Sequence, residues 1–289
     1  MDYSNKHITA EVLKQISYEV ALINSDYNFN CPIDLKDGIF ELLDKVGTLI
    51  LYPFPGENLW GIYICKNEKH YFIINSLINL ERKIFAAAHE LAHSLDIAKV
   101  KFEVITAELM TEYVDHKIYG DELGKVDAIA NRFAAELLVG KRQLKEKFLE
   151  LPESYDLVVK AVLLSDFFLV PYKTIVRRFI ETELIDDPKI IDSLLDVDSD
   201  TIKSIAERYE CCRRNQEISK ETRLGGYVNK ALTLYENDLS TYDELKAKLA
   251  LLNKEPEDYD IIDEYFDVNE FLRRASENPE VEDQDGVED

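Results

Sequence analysis

The segment from His89 to His93, which reads His-Glu-Leu-Ala-His, restricts the fold and chemistry of this chain more than any other feature. Residues 80–96 around it are rich in good helix formers and contain neither glycine nor proline. In a helix with about 3.6 residues per turn, positions four apart share one face, so both imidazoles can bind one metal ion. The segment therefore predicts a helix that presents two metal ligands with Glu90 beside them.

The flanking residues favour a half-buried helix. Apolar residues recur at intervals of three and four, and Asn79 precedes the run as a candidate N-cap. The apolar positions are Ile84, Phe85, Ala88, Leu91, Ala92 and Leu95. A purely structural helix with two incidental histidines is the alternative interpretation.

Each residue type in the segment has a separate chemical use. Neutral imidazole is a good ligand for Zn²⁺, and two of them leave room for a third protein ligand and a water molecule. The ion lowers the pKa of that water and polarises a substrate carbonyl, while an adjacent carboxylate can take the proton. Glu90 is therefore predicted to be the general base and not a ligand.

The third ligand is not decided by spacing. A metzincin is excluded, because Lys99 stands where its third histidine would be and Asp96 replaces the required glycine. An acidic ligand from a later segment remains. The candidates are Glu112, in a region of mixed character at 99–124, and Asp127, which opens a clear helical run at 127–138.

Asp127 has features for and against it as a ligand. The small residues Ala130 and Ala134 would let its helix approach the first helix closely, and Asn131 would share its face. The alternative is an acid at a helix N-terminus, where the helix dipole favours negative charge.

Three segments in order resemble the ImmA/IrrE family of metallopeptidases. They are a strand-like run ending in Asn75-Ser76, the HExxH helix at 85–93, and the Ala-Asn-x-Phe-Ala-x-x-Leu-Leu run at 130–138. In that family an acidic residue stands three positions before the last run, which here is Asp127. The resemblance covers roughly residues 30–185.

The resemblance implies a role for each matching residue. His89, His93 and Asp127 would bind zinc, and Glu90 would act as the catalytic acid and base. The substrate would be a helix-turn-helix transcriptional repressor, cleaved so that its genes are released. Bacterial stress responses, mobile elements and toxin-antitoxin pairs are the settings that the family implies.

The chain departs from the family pattern at three places. Asp127 replaces the usual Glu and is one methylene shorter, so the backbone must come closer or a water must bridge. Val139-Gly140 replaces the usual Met-Pro, and Ala92 replaces the common glycine of the HExxH segment. Aspartate remains a competent zinc ligand.

The pattern along the chain predicts an α+β fold. Helices are expected at 9–24 and 34–46, followed by strands at 48–54, 60–65 and 70–74. We expect a short three-stranded sheet packed on a zincin-like HExxH helix core, followed by a mostly helical C-terminal region. In zincin proteases an extended substrate pairs with an exposed edge strand of such a sheet.

Four segments are predicted. Residues 1–150 would form the zincin-like domain, 151–186 a helix-turn-helix-like element, 187–276 a helical domain of unknown role, and 277–289 an acidic disordered tail. The second helix of the element carries a weak basic face, for which packing or partner recognition and DNA contact are both open. That face consists of Lys173, Arg177 and Arg178.

Other reactive residues are less specific. His70 lies in a predicted strand, where it would stabilise an oxyanion or serve as an ordinary sheet residue. Tyr113 and His116 would reach the site if the 99–124 segment folded over it. The cysteines have no metal-binding spacing and are interpreted as reduced or buried thiols. They are Cys31, Cys65, Cys211 and Cys212.

Charge and hydropathy exclude some functions. The net charge is −23, and residues 253–289 contain 15 acidic and 3 basic residues, so direct nucleic-acid binding is not expected. The acidic end is interpreted as a solvating tail, with a dock for a basic partner as the alternative. No apolar run approaches the roughly 20 residues that span a bilayer, and the polar start is not a secretory signal. We expect a soluble, cytoplasmic protein.

These observations predict a zinc-dependent endopeptidase that cleaves one specific protein partner. A non-catalytic module that binds a repressor or toxin, with structural metal or none, is the alternative. A DNA-binding regulator that uses residues 157–185 is a third hypothesis, which the acidic charge disfavours.

Overall fold

The structure is a computed structural model, and it describes residues 8–27, 32–54, 59–95, 106–108, 120–211, 223–224, 226–252 and 254–261. The chain divides into two compact units, residues 1–225 and 226–289. The predicted boundaries at residues 150 and 186 both lie inside the first unit. The fold class is α+β, as predicted.

The first unit contains a small mixed sheet and nine described helices. The strands are β1 (Thr48–Tyr52), β2 (Gly61–Lys66), β3 (Lys69–Asn75), β4 (Thr106–Glu108) and β5 (Arg223–Leu224). The helices are α1 (Ala10–Tyr27), α2 (Pro32–Val46), α3 (Leu80–Ser94), α4 (Gly120–Leu138), α5 (Lys141–Glu150), α6 (Leu157–Phe168), α7 (Tyr172–Glu181), α8 (Pro188–Leu195) and α9 (Ser199–Arg208).

The sheet has the order β4-β2-β3-β1-β5. Its centre consists of the three predicted strands, with β3 parallel to β1 and antiparallel to β2. The two short strands at the edges were not predicted, because two or three residues are too few to show an alternating pattern. Strand β4 pairs antiparallel with β2, and β5 pairs antiparallel with β1.

Helix α3 packs against β2 and β3 of the sheet and against α4. Alanines occupy much of this helix pair, and small side chains let two helix backbones approach closely. The fully buried alanines are Ala86, Ala87, Ala88 and Ala92 on α3, and Ala130 and Ala134 on α4. This close pair provides the residues of the candidate site.

Helix α4 begins earlier than predicted. It starts at Gly120, so Asp127 lies about two turns inside the helix and not at its N-terminus. The interpretation of Asp127 as an N-terminal acid held by the helix dipole is therefore wrong. Part of the reason is tertiary, because Val126 packs against the core and extends the buried stripe toward the N-terminus.

The predicted helix-turn-helix-like element corresponds to α6 and α7. The Asp156 side chain caps α6 by accepting from the Val159 N–H at 2.8 Å, and Leu169 ends it in the left-handed conformation at φ 52°. The predicted basic face of α7 is wrong for Arg178, which is 1% exposed. Of its three basic residues, Arg177 alone is exposed.

Arg178 is buried because two groups satisfy its guanidinium. Its Nε–H donates to the Val139 carbonyl at 3.1 Å, and an Nη lies 2.9 Å from the Glu181 carboxylate. Glu181 also pairs with Arg132 of α4 at 2.9 Å. The pair between Arg132 and Glu181 connects α4 to α7, so this face of α7 packs within the first unit.

The second unit contains α10 (Tyr227–Glu236), α11 (Tyr242–Ala250) and a 3-10 helix (Pro256–Tyr259). A small core of Ala231, Leu245 and Leu249 joins the two α-helices. Thr241 and Glu244 form a capping box at the start of α11. Among the described residues of both units, no helix is both apolar and long enough to cross a bilayer.

Candidate metal centre

His89 and His93 lie on the same face of α3, one turn apart. Their Nε2 atoms are 3.1 Å apart, and the side chains are 1% and 0% exposed. Two nitrogens at zinc-bonding distance from one tetrahedral ion are about 3.3 Å apart. The two rings are therefore spaced as a pair of ligands on one ion.

Asp127 of α4 faces this pair across the helix–helix contact. One ligand atom from each of His89, His93 and Asp127 can be chosen such that all three lie within 4.8 Å of one another. Two imidazoles and a carboxylate suit Zn²⁺, and they leave a fourth position for water or substrate. Glu112, the other candidate for the third ligand, lies outside the described residues.

Asn131 lies one turn after Asp127 and contacts the opposite side of the His89 ring. Its Oδ1 is 3.0 Å from His89 Nδ1. An amide oxygen only accepts, so Nδ1 carries the proton and Nε2 presents its lone pair toward the ligand set. This is the tautomer that metal binding through Nε2 requires. Asn131 was predicted to share a face with Asp127, but its contact with His89 was not foreseen.

Glu90 points from α3 toward the first residue of β2. It is fully buried, and a Cβ built on Gly61 would lie 2.5 Å from Glu90 Oε1 and 2.9 Å from Cγ. Any side chain at position 61 would therefore overlap the carboxylate. The absence of a side chain at Gly61 makes room for the predicted general base.

Tyr63, two residues further along β2, contacts both His93 and His70. Its ring centroid lies 6.3 Å from that of His93, with 21° between the planes, and its hydroxyl lies 2.6 Å from His70 Nδ1. Burial raises the pKa of Tyr63 well above its usual range, with a further contribution from Cys65. The phenol is therefore neutral and hydrogen-bonded to His70.

Sequence reasoning missed Tyr63. The available signal was its position two residues after Gly61, which places both on one face of a strand. His70 had been considered for an oxyanion role. The structure instead shows the His70 ring hydrogen-bonded to the Tyr63 hydroxyl. Tyr63 in turn lies beside His93.

Asn75, the last residue of β3, connects three segments of the chain through its side chain. Its Oδ1 accepts from the Phe54 N–H at 3.2 Å and the Leu77 N–H at 2.9 Å, and its Nδ2 donates to the Leu59 carbonyl at 2.8 Å. The side chain is fully buried. Asn75 thus connects the chain after β1, the chain before β2 and the turn that leads into α3.

Several further candidate residues cannot be assigned a position relative to the site. Tyr113 and His116 lie outside the described residues, as do Cys31 and Cys212. Cys65 is half-buried, and Cys211 is buried. Within the described residues, the one group of three or more His, Cys, Asp or Glu side chains able to hold a metal ion is the set of His89, His93 and Asp127.

Comparison with models of known protein families yields no match, and comparison with curated proteins yields none either.

Proposed function

We propose that this chain is a zinc-dependent endopeptidase that cleaves a specific protein partner. The observation that carries the proposal is the meeting of His89, His93 and Asp127 from two helices, with ligand atoms within 4.8 Å of one another. The contact of Asn131 with His89 adds support, because a structural helix with incidental histidines has no need of a defined imidazole tautomer.

Zinc bound to these residues would supply Lewis-acid chemistry, polarising a carbonyl and lowering the pKa of water. His89, His93 and Asp127 would hold the ion. Glu90, next to the first ligand in sequence, would take a proton from the attacking water and later donate it to the leaving amine. Gly61 keeps the space that the Glu90 carboxylate occupies.

The proposed substrate is a helix-turn-helix repressor, and this part of the proposal rests on the resemblance to the ImmA/IrrE family. Cleavage would release repressed genes in a stress, mobile-element or toxin-antitoxin setting. Expression of the wild type and the Glu90→Gln variant in the native host tests it. Proteins shortened only in the wild type would be the substrates, and an unchanged set of protein lengths would contradict peptidase activity.

Metal analysis tests the ligand assignment. The wild type should bind about one zinc per chain, and His89→Ala and His93→Ala should each lose it. Glu90→Gln should keep its zinc and lose cleavage. Zinc affinity should be compared between Asp127→Ala and Glu112→Ala. The variant that lacks the third ligand should bind zinc more weakly. Full zinc retention in either histidine variant would refute the assignment.

A second candidate function is a non-catalytic module that binds a repressor or toxin. The observation that favours it is the burial of His89, Glu90 and His93, which are at most 1% exposed. A substrate cannot reach them in this conformation. The candidates differ in the Glu90→Gln experiment, because a binding module would keep its effect in the host and an enzyme would lose it.

A further inference from the structure

Strand β4 covers the edge of β2 that borders the candidate site. The three residues of β2 that pair with β4 are Gly61, Ile62 and Tyr63, which lie opposite Glu108, Ala107 and Thr106. Two of these β2 residues border the centre. Gly61 lies against Glu90, and the Tyr63 ring lies 6.3 Å from that of His93. The edge beside the proposed general base is therefore already occupied by the chain itself.

An exposed strand edge is a binding site for extended polypeptide. Its unpaired N–H and C=O groups pair with the main chain of an added strand, whatever the side chains of that strand. In this sheet β3 covers one edge of β2, so the edge paired with β4 is the one that a peptide would use. A peptide paired there would pass beside Glu90.

We propose that β4 is an internal competitor for this peptide-binding edge, and that it must leave β2 before a peptide substrate can pair there. The proposal deepens the proposed function, on which its regulatory meaning rests. Two observations carry it: the antiparallel pairing at 61–63, and the burial of all three of His89, Glu90 and His93. Release of β4 would uncover the backbone of β2 beside the general base.

The ladder between β2 and β4 is short, which makes exchange feasible. Three residue pairs form it, and neighbouring residues of an antiparallel strand point their N–H groups in opposite directions. At most two β4 residues therefore exchange hydrogen bonds with β2. A longer extended peptide would form more hydrogen bonds with β2 than β4 does, so it can displace β4.

The first test uses a fluorescent synthetic peptide with the sequence of residues 103–111 as the probe. In the Thr106→Pro/Ala107→Pro double variant, one of the two prolines must remove an N–H that donates to β2. The variant should bind the peptide at least about tenfold more tightly than the wild type, because its own strand no longer competes at high effective concentration. Equal affinity for both proteins would overturn the proposal.

A control peptide with proline at the same two positions should bind neither protein. If it binds as well as the parent peptide, strand pairing is not the mode of binding and the proposal fails. The probe needs neither zinc nor cleavage. The peptide experiment therefore tests the competitor role of β4 alone. The peptidase proposal is tested separately by the Glu90→Gln experiment.

A disulfide lock gives a second test that does not depend on the folding of the proline variant. Ile62 and Ala107 are directly opposite, and paired Cα atoms in antiparallel strands are about 4.5–5.5 Å apart, within disulfide range. Because Gly61 and Tyr63 face α3, Ile62 points away from the centre.

In the Ile62→Cys/Ala107→Cys variant, oxidation should reduce binding of the 103–111 peptide to the level of the proline control peptide. Reduction should restore it to the wild-type value. The wild type treated in the same way controls for Cys65 and the other native thiols. Peptide binding that survives oxidation would place the peptide elsewhere and refute the competitor role.

Discussion

The carboxylate of Glu90 lies against the backbone of Gly61, where a single added methyl group would be 2.5 Å from Oε1. This contact joins the helix of the proposed ligands to the strand on which an extended peptide would pair. A change at Gly61 should therefore disturb the proposed general base without touching either histidine.

We expect Gly61→Ala to retain zinc and to lose cleavage by about 10²-fold or more, because the displaced carboxylate no longer faces the attacking water. Overpacking should also lower the free energy of unfolding by about 1–3 kcal/mol. Zinc content, thermal unfolding and cleavage rate measure the three effects. The matched control is Gly140→Ala, whose added Cβ would be 3.5 Å from the nearest side-chain atom. If Gly61→Ala cleaves at the wild-type rate, the contact has no role in catalysis.

Asn131 should control zinc affinity through His89. Asn131→Ala removes the acceptor for the Nδ1 proton, and we expect zinc to bind about 10- to 100-fold more weakly. Asn131→Asp keeps an acceptor and should restore much of the affinity. Competition with a chromogenic chelator measures both. If both variants bind zinc equally weakly, the hydrogen bond to His89 does not determine zinc affinity.

Arg178 should be essential to stability although it lies outside the site. Arg178→Ala removes the donor to the buried Val139 carbonyl and leaves a cavity. Glu181 keeps its ion pair with Arg132, so we expect a loss of about 3–5 kcal/mol in the free energy of unfolding. Its exposed neighbour is the control, since Arg177→Ala should change stability by no more than about 0.5 kcal/mol. Urea unfolding of both variants measures the difference. If both variants lose similarly little stability, the buried contacts of Arg178 contribute little to the free energy of unfolding.

Tyr63 should matter more for its ring than for its hydroxyl. Tyr63→Phe removes the hydrogen bond to half-buried His70 and should cost about 1 kcal/mol in stability, with zinc affinity unchanged. Tyr63→Ala leaves a cavity beside His93, so it should cost about 3–5 kcal/mol and weaken zinc binding.

His70→Ala removes the same hydrogen bond as Tyr63→Phe, so the double variant should lose less stability than the sum of the two single losses. If the two losses of stability were additive, Tyr63 and His70 would contribute to stability independently and not through their shared hydrogen bond. If His70 stabilised an oxyanion, His70→Ala would lower the cleavage rate strongly, whereas Tyr63→Phe would not. We expect both variants to cleave at rates similar to that of the wild type.

The elements that sequence predicted best are those with a long regular pattern. Alternation located β1, β2 and β3, and the apolar spacing around His89 located α3, because these periods reflect burial on one face. Helical spacing predicted that His89 and His93 share a face, whereas it left Asp127 and Glu112 open as the third ligand, and the resemblance to the ImmA/IrrE family favoured Asp127.

Contacts between distant segments could not be predicted in the same way. Glu90 meets Gly61 and His93 meets Tyr63 across a helix–sheet interface, and no local pattern encodes that packing. Arg178 was assigned to a weak basic face of its helix, yet its side chain is buried and a carbonyl 39 residues away in the chain accepts its hydrogen bond. Strand β4 was missed because its three residues pair only through tertiary structure.

The small buried side chains of the α3–α4 pair have a consequence for the choice of acid at position 127. With side chains this small in the contact, the two helix axes can lie close enough for the short aspartate to reach the histidines. Glutamate at the same position would carry its carboxylate one methylene further from the backbone, which suits a wider separation of the helices. Replacing an alanine by valine would push the axes apart and favour the longer acid. The separation of the two helices and the length of the acid therefore determine together whether a carboxylate completes the ligand set.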